Sequence, residues 1–166
     1  MRKYNYNKPP YCCGDNNEQV YSKTQIPYLP ILGTKSFKEV LQYIYDAIVS
    51  EATAAEFYAR LLKEAPNKLH KNFIQHAFDD EIEHLQAFTK LYRYYTGKVP
   101  QYNITPVCYP NYKAGILMAL EDELEAAEFY RDVQLSTNDQ LIKDTFYFAM
   151  VDELEHATMF STLYNT

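Results

Sequence analysis

The sequence predicts an all-α fold: a four-helix bundle made of two duplicated antiparallel helical hairpins joined by a long crossover connection. Two observations carry this. After Ser36, apolar and small residues recur at three- and four-residue spacing through four segments, each roughly 25 to 30 residues long. The second half of the chain also repeats the first at a constant offset of 72 positions, without a gap.

The elements follow in order. The first helix begins with Ser36 and Glu39 placed as a capping box, runs through Val40, Ile44, Ala47, Ala54, Tyr58 and Leu61, and is ended by Pro66. The second spans about Asn67 to Thr96, with Ile74, Ala77, Phe88 and Leu91 on one stripe and Gly97 as its stop signal. The third covers about Tyr112 to Ser136, with Ile116, Ala119, Ala126, Tyr130 and Val133. The fourth starts near Asp139 and carries Ile142, Phe146, Ala149, Phe160 and Leu163 almost to the C-terminus.

Residues 1–35 hold Pro9, Pro10, Gly14, Pro27, Pro30 and Gly33 without a sustained apolar period, so an extended N-terminal arm is expected there. The bundle then occupies residues 36–166, as a hairpin over 36–96, a crossover over 97–111 and a hairpin over 112–166. Connections inside each hairpin are short, which makes their helices antiparallel neighbours. The crossover holds Pro100, Pro106 and Pro110. Its 15 residues span at most about 50 Å, against about 40 Å for a helix of this length, so it can run the length of the bundle.

Composition narrows the function. The chain has 166 residues, 47% of them hydrophobic, which suffices for one cored domain. A net charge of -6 gives no electrostatic case for nucleic acid or for an anionic membrane. No apolar h-region opens the chain and no run of 18 apolar residues follows, so a soluble, cytoplasmic protein is expected. Cys12, Cys13 and Cys108 form neither a disulfide framework nor a four-thiolate metal site.

Each apolar stripe has a charged interruption near its midpoint: Glu51 in the first helix, Glu81 with His84 in the second, Glu123 in the third, Glu153 with His156 in the fourth. Antiparallel packing brings all six to one level of the bundle. Four carboxylates in a core repel one another and are costly unless a cation sits among them. The i, i+3 spacing of Glu-x-x-His puts both groups on one helical face, and a Glu from each of two helices with Glu-x-x-His from the other two is the ligand set of dimetal carboxylate bundles. Carboxylate oxygen with imidazole favours iron or manganese over the thiolate-rich sites of structural zinc. An isolated Glu-x-x-His is ordinarily a solvated surface pair; two in register by the repeat, each matched by a second inward Glu, are not.

Residues 36–166 resemble the ferritin-like superfamily and, within it, the rubrerythrin-like di-iron proteins. The resemblance rests on Glu51 followed seven residues later by Tyr58, on Asp80-Glu81-x-x-His84, on Glu123 followed by Tyr130, and on Asp152-Glu153-x-x-His156. It implies two iron ions, with manganese as the alternative, bridged by Glu81 and Glu153, with Glu51 and Glu123 terminal and one of His84 and His156 on each ion. It further implies reaction of the reduced metals with peroxide or dioxygen, as ferroxidase or peroxidase. The paired Cys-x-x-Cys motifs of a rubredoxin domain are missing from this sequence, so an external electron donor is expected. A homodimer is the assembly that such bundles suggest.

The resemblance also assigns Asp80 and Asp152 to the far nitrogens of the ligand histidines, Asp80 to His156 and Asp152 to His84. Tyr58 and Tyr130 have two readings, a hydroxyl bonded to a ligating carboxylate or plain core packing. Glu56, Glu121, Glu125 and Glu128 are competing carboxylates that read as solvated, since the repeat selects Glu123 and the ideal helix turns Glu121 and Glu125 about 160° away from it. His70 and His76 read as surface or helix-end residues. Ala47, Ala77, Ala119 and Ala149, one turn before the ligands, are expected to leave room for metals and a small oxidant. The Tyr-rich, Cys-containing arm is similar in composition to spore-coat proteins, which adds a structural, spore-associated role and simple metal handling to the enzyme reading. Manganese catalase activity is a further variant.

Overall fold

The computed structural model describes residues 34–166. The arm expected over residues 1–35, with Cys12 and Cys13, lies almost wholly outside the described residues. Four helices are present among them, α1 (Phe37–Glu64), α2 (Lys68–Thr96), α3 (Tyr112–Ser136) and α4 (Gln140–Tyr164). Each begins where a side chain satisfies an orphan N–H of the first turn. Ser36 and Glu39 form the reciprocal capping box, Asn67 accepts from the His70 N–H, Asn111 from the Ala114 N–H, and Asp139 from the Ile142 N–H. Gly97 ends α2 at φ 69°, in the left-handed region that a side chain disfavours.

α1 packs on α2 and α3 on α4, as the short turns require, while α2 meets α4 and α1 meets α3 across the bundle. The crossover runs lengthwise along α1. Tyr45 donates to the Gln101 carbonyl at 2.9 Å, Arg60 to the Val107 carbonyl at 2.6 Å, and the Tyr109 hydroxyl to Glu64 at 2.7 Å. α3 therefore starts beside the C-terminal end of α1 and runs antiparallel to it, which gives an up-down-down-up order. Gly115, in the first turn of α3, permits the close approach: a Cβ there would lie 2.7 Å from Leu61 Cδ2 and 3.1 Å from the Tyr109 ring.

The interior is two apolar clusters rather than one. One contains Ile44, Ala47, Phe88, Leu91, Tyr130, Val133, Phe146 and Ala149. The other contains their repeat counterparts, Ile116, Ala119, Phe160, Leu163, Tyr58, Leu61, Ile74 and Ala77. The bundle thus has an internal pseudo-two-fold axis across its length, with the charged level between two matching plugs. Burying each of Phe88, Phe146 and Phe160 stabilises the fold by about 1.5 to 3 kcal/mol. No helix among the described residues is long and apolar enough to cross a membrane.

Candidate metal centre

All six residues expected at the middle of the helices are buried. Glu51, Glu81, His84, Glu123, Glu153 and His156 expose 3% or less of their surface. They fall into two overlapping donor groups, Glu51, Glu81, His84 and Glu153 in one, Glu81, Glu123, Glu153 and His156 in the other, with donor atoms within 4.8 Å of one another in each. His84 Nδ1 lies 3.2 Å from Glu153, 3.7 Å from Glu51 and 3.8 Å from Glu81. His156 Nδ1 lies 3.1 Å from Glu153, 3.3 Å from Glu81 and 3.6 Å from Glu123. Glu81 and Glu153 therefore face both histidines, whereas Glu51 and Glu123 face one each.

The electrostatics of this level are unbalanced without a cation. Burial pushes Glu81 well above the ordinary carboxylate value, and the charges of Glu51 and Glu153 push it further. Burial raises Glu123 as well, against the pull of His156. Glu153 is the exception: burial acts to raise it, yet contacts with His156, His84 and Glu123 bring it down to about 2. For His84 and His156 burial favours the neutral ring, but the surrounding carboxylates outweigh it and drive both upward. Glu81 Oε1, His84 Nδ1 and Glu153 Oε1 are buried without a hydrogen bond. Orphaned buried acceptors on a shared inner face are what a cation would satisfy, so the residues fit a metal pair.

The surrounding contacts cross between hairpins. His84 Nε2 lies 3.1 Å from Asp152, and His156 Nε2 3.0 Å from Asp80. With Nε2–H held by a carboxylate, the ring proton that a cation would displace is the one on Nδ1, at the Glu level. The Tyr58 hydroxyl donates to Glu123 at 2.5 Å and the Tyr130 hydroxyl donates to Glu51. Of the two readings for these tyrosines, hydroxyl bonding and core packing, both hold, because each ring is also 1% exposed and packed among aromatics.

The structure extends two histidine readings and corrects the one on the alanines. His76 is a surface residue as expected, and its Nε2 also lies 3.2 Å from Asp80, one turn on, and 3.8 Å from Glu155. The repeat puts Phe148 at the equivalent position, and Phe148 meets His84 edge-on at 5.4 Å. One half of the site is thus backed by a polar, half-exposed imidazole and the other by an apolar ring. His70 is at a helix end but buried, with Nδ1 2.8 Å from the Tyr112 hydroxyl and Nε2 3.1 Å from Thr166 Oγ1. Its repeat counterpart is Ile142, a comparison that marked position 70 as interior. Ala47, Ala77, Ala119 and Ala149 pack inside the two apolar plugs. The small crevice beside the carboxylates, about 30 Å³, is bordered instead by Ser50, Ala54, Asp122 and Ala126.

Glu121, Glu125 and Glu128 are exposed, as expected, whereas Glu56 is half-buried and engaged by Arg60 at 2.8 Å. Cys108, in the crossover, is exposed and free.

The rubrerythrin family model matches residues 43–164. Uncharacterized protein YhjR of Bacillus subtilis (strain 168) is 31% identical over 121 residues, which is 73% of this chain and 83% of that protein. A hypothetical protein from Pyrococcus furiosus superposes with a TM-score of 0.66 at 24% identity, over 76% of this chain and 88% of its own. A two-domain protein from Anabaena variabilis, with DJ-1/ThiJ/PfpI-like and ferritin-like domains, superposes with a TM-score of 0.63 at 12% identity, over 80% of this chain and 40% of its own. Those two likenesses concern the fold alone. With the family match extending from α1 to the end of α4, over a ferritin-like bundle whose buried Glu and His groups can hold metal, the chain belongs to the rubrerythrin family.

Proposed function

We propose that the protein is a di-iron carboxylate oxidoreductase of peroxidase or ferroxidase type, with manganese as the alternative metal and with peroxide or dioxygen as oxidant. The observation that carries this reading is the pair of overlapping donor groups sharing Glu81 and Glu153. Glu51 and His84 complete one position, and Glu123 and His156 the other. Four carboxylates neutralise two divalent ions, and a set of carboxylates with one imidazole per ion suits iron or manganese. When bound in reduced form, such a metal pair supplies the two electrons that take peroxide to water or dioxygen to peroxide. Asp80 and Asp152 hold the two histidines in the tautomer that presents Nδ1, while Tyr58 and Tyr130 fix the terminal carboxylates. Their hydroxyls stay protonated: burial, and then the neighbouring carboxylates, raise both well above the ordinary tyrosine value. Electrons for repeated turnover come from a separate donor protein or small reductant.

Metal analysis of protein purified without added metal tests the first half, with two ions per chain expected in the native protein and loss of both in the Glu81→Ala, Glu153→Ala double variant. Anaerobic ferrous protein mixed with peroxide or dioxygen tests the second. Rapid oxidation of two irons per chain, repeated on addition of reductant, is the expected result. Tight metal without reactivity would instead leave a metal-handling or structural protein.

A further inference from the structure

α1 and α3 form the loosest contact between neighbouring helices in the bundle, and a groove of about 470 Å³ lies between them. Its lining includes three pairs of repeat counterparts: Ser50 and Asp122, Thr53 and Glu125, Ala54 and Ala126. The small residues at 54 and 126 keep it open inward. Ser50, Ala54, Asp122 and Ala126 also border the 30 Å³ crevice, whose floor is Glu51, Glu81, Glu123 and Glu153. Two of those floor residues, Glu81 and Glu153, are 1% exposed and present an oxygen with no hydrogen-bond partner. The groove therefore leads to unsatisfied buried carboxylate oxygens.

Its charge is one-sided. α1 supplies Ser50 and Thr53, while α3 supplies Asp122 and Glu125, and no Lys or Arg lines the groove among the described residues. The first hairpin demonstrates that hydroxyl residues serve at these positions, so packing does not demand acids there. Lined walls of one charge sign focus counter-ions and raise their association rate.

We propose that this groove is the route by which a divalent cation reaches the carboxylate level, with Asp122 and Glu125 as the residues that attract it. The proposal rests on the dimetal reading above. It assigns the two acids to delivery and not to the bound state, so they govern how fast metal arrives, not how many ions stay.

The test is stopped-flow uptake of Co²⁺ by metal-free protein, followed by its visible absorption, at low and high ionic strength. The Asp122→Ser, Glu125→Thr variant carries the residues that the first hairpin uses in the same places. It is expected to load about ten-fold more slowly at low salt, to lose most of the salt dependence, and to reach the same final number of ions per chain as the native protein. The charge-retaining Asp122→Glu, Glu125→Asp variant should load at close to the native rate. Peroxide, being neutral, should oxidise the preloaded ferrous forms of native protein and Ser/Thr variant equally fast. Equal Co²⁺ uptake rates in native protein and Ser/Thr variant would overturn the proposal, as would a lower final stoichiometry, which would make the acids ligands. Failure of the native protein to take up Co²⁺ at all would instead sink the dimetal reading.

Discussion

The Tyr58 hydroxyl on α1 donates to the Glu123 carboxylate on α3 at 2.5 Å, across the line where the two hairpins meet. Its repeat counterpart Tyr130 returns the contact by donating to Glu51. Each hairpin thus holds a carboxylate of the other, at the loosest helix contact in the bundle, and these bonds replace part of the packing that α1 and α3 lack.

Tyr58→Phe keeps the ring in its cluster and removes the donor to a buried carboxylate. A stability loss of about 1 to 3 kcal/mol is expected for the metal-free protein, read from the urea midpoint. Because the lost partner is Glu123, the double variant Tyr58→Phe, Glu123→Gln should lose less than the sum of the singles. Strict additivity would mean that the Tyr58 hydroxyl does not act through Glu123.

Metal should stabilise the fold as well as equip it, since the carboxylate level is formed only in the native state. Free ion at about 100 times its dissociation constant adds about 2.7 kcal/mol for each ion bound, or roughly 5 to 10 °C in Tm per ion for a chain of this size. Differential scanning calorimetry before and after chelation measures this. The Glu81→Ala, Glu153→Ala variant should show no metal-dependent shift, and an undiminished shift there would place the ion elsewhere.

The two metal positions are expected to differ because their outer contacts do. Asp80 sits between His156 and His76, whereas Asp152 meets His84 beneath Phe148. Asp80→Ala should weaken the His156 position by about 10- to 100-fold and leave the His84 position near its native affinity, so a Co²⁺ titration would split into two phases. Asp152→Ala should give the converse. A single, uniformly weakened phase in either variant would contradict the separation of the halves.

The positions of these groups along the chain were largely legible in the sequence, and the reason is physical. A charged residue on an apolar stripe is rare enough to mark Glu51, Glu81, Glu123 and Glu153, and the 72-position repeat placed them at one level. The crossover length and Ser36, Asn67, Asp139 and Gly97 at the helix ends set helix order and limits. Local periodicity does not report which side chains meet across helices. It left open whether Tyr58 bonds a carboxylate, and it missed that His76 reaches Asp80 although the two are one turn apart. The repeat itself held more than its matches revealed: its mismatches, His76 with Phe148, His70 with Ile142, and Ser50 with Asp122, are where the halves differ in chemistry. The residue-by-residue spacing of α1 and α3, which opens the groove at Ala54 and Ala126, depends on packing that no single helix encodes.

His70 supplies a pH dependence separate from the metal level. It lies buried in the first turn of α2, bonded to Tyr112 and Thr166, and its repeat counterpart in the second hairpin is Ile142. Burial lowers its pKa from the usual 6.5, favouring the neutral ring in the native state. The unfolded chain binds a proton near pH 6.5 that the native chain refuses until lower pH, so this contribution is complete above about pH 6.5 and is lost as pH falls below it. Urea midpoints of metal-free protein between about pH 7.5 and 5 should therefore fall more steeply than those of His70→Ile. The carboxylate level titrates identically in both proteins and cancels in the difference. Parallel curves would show that the native fold accommodates protonated His70 without cost, with Tyr112 or Thr166 taking the extra donor as acceptors.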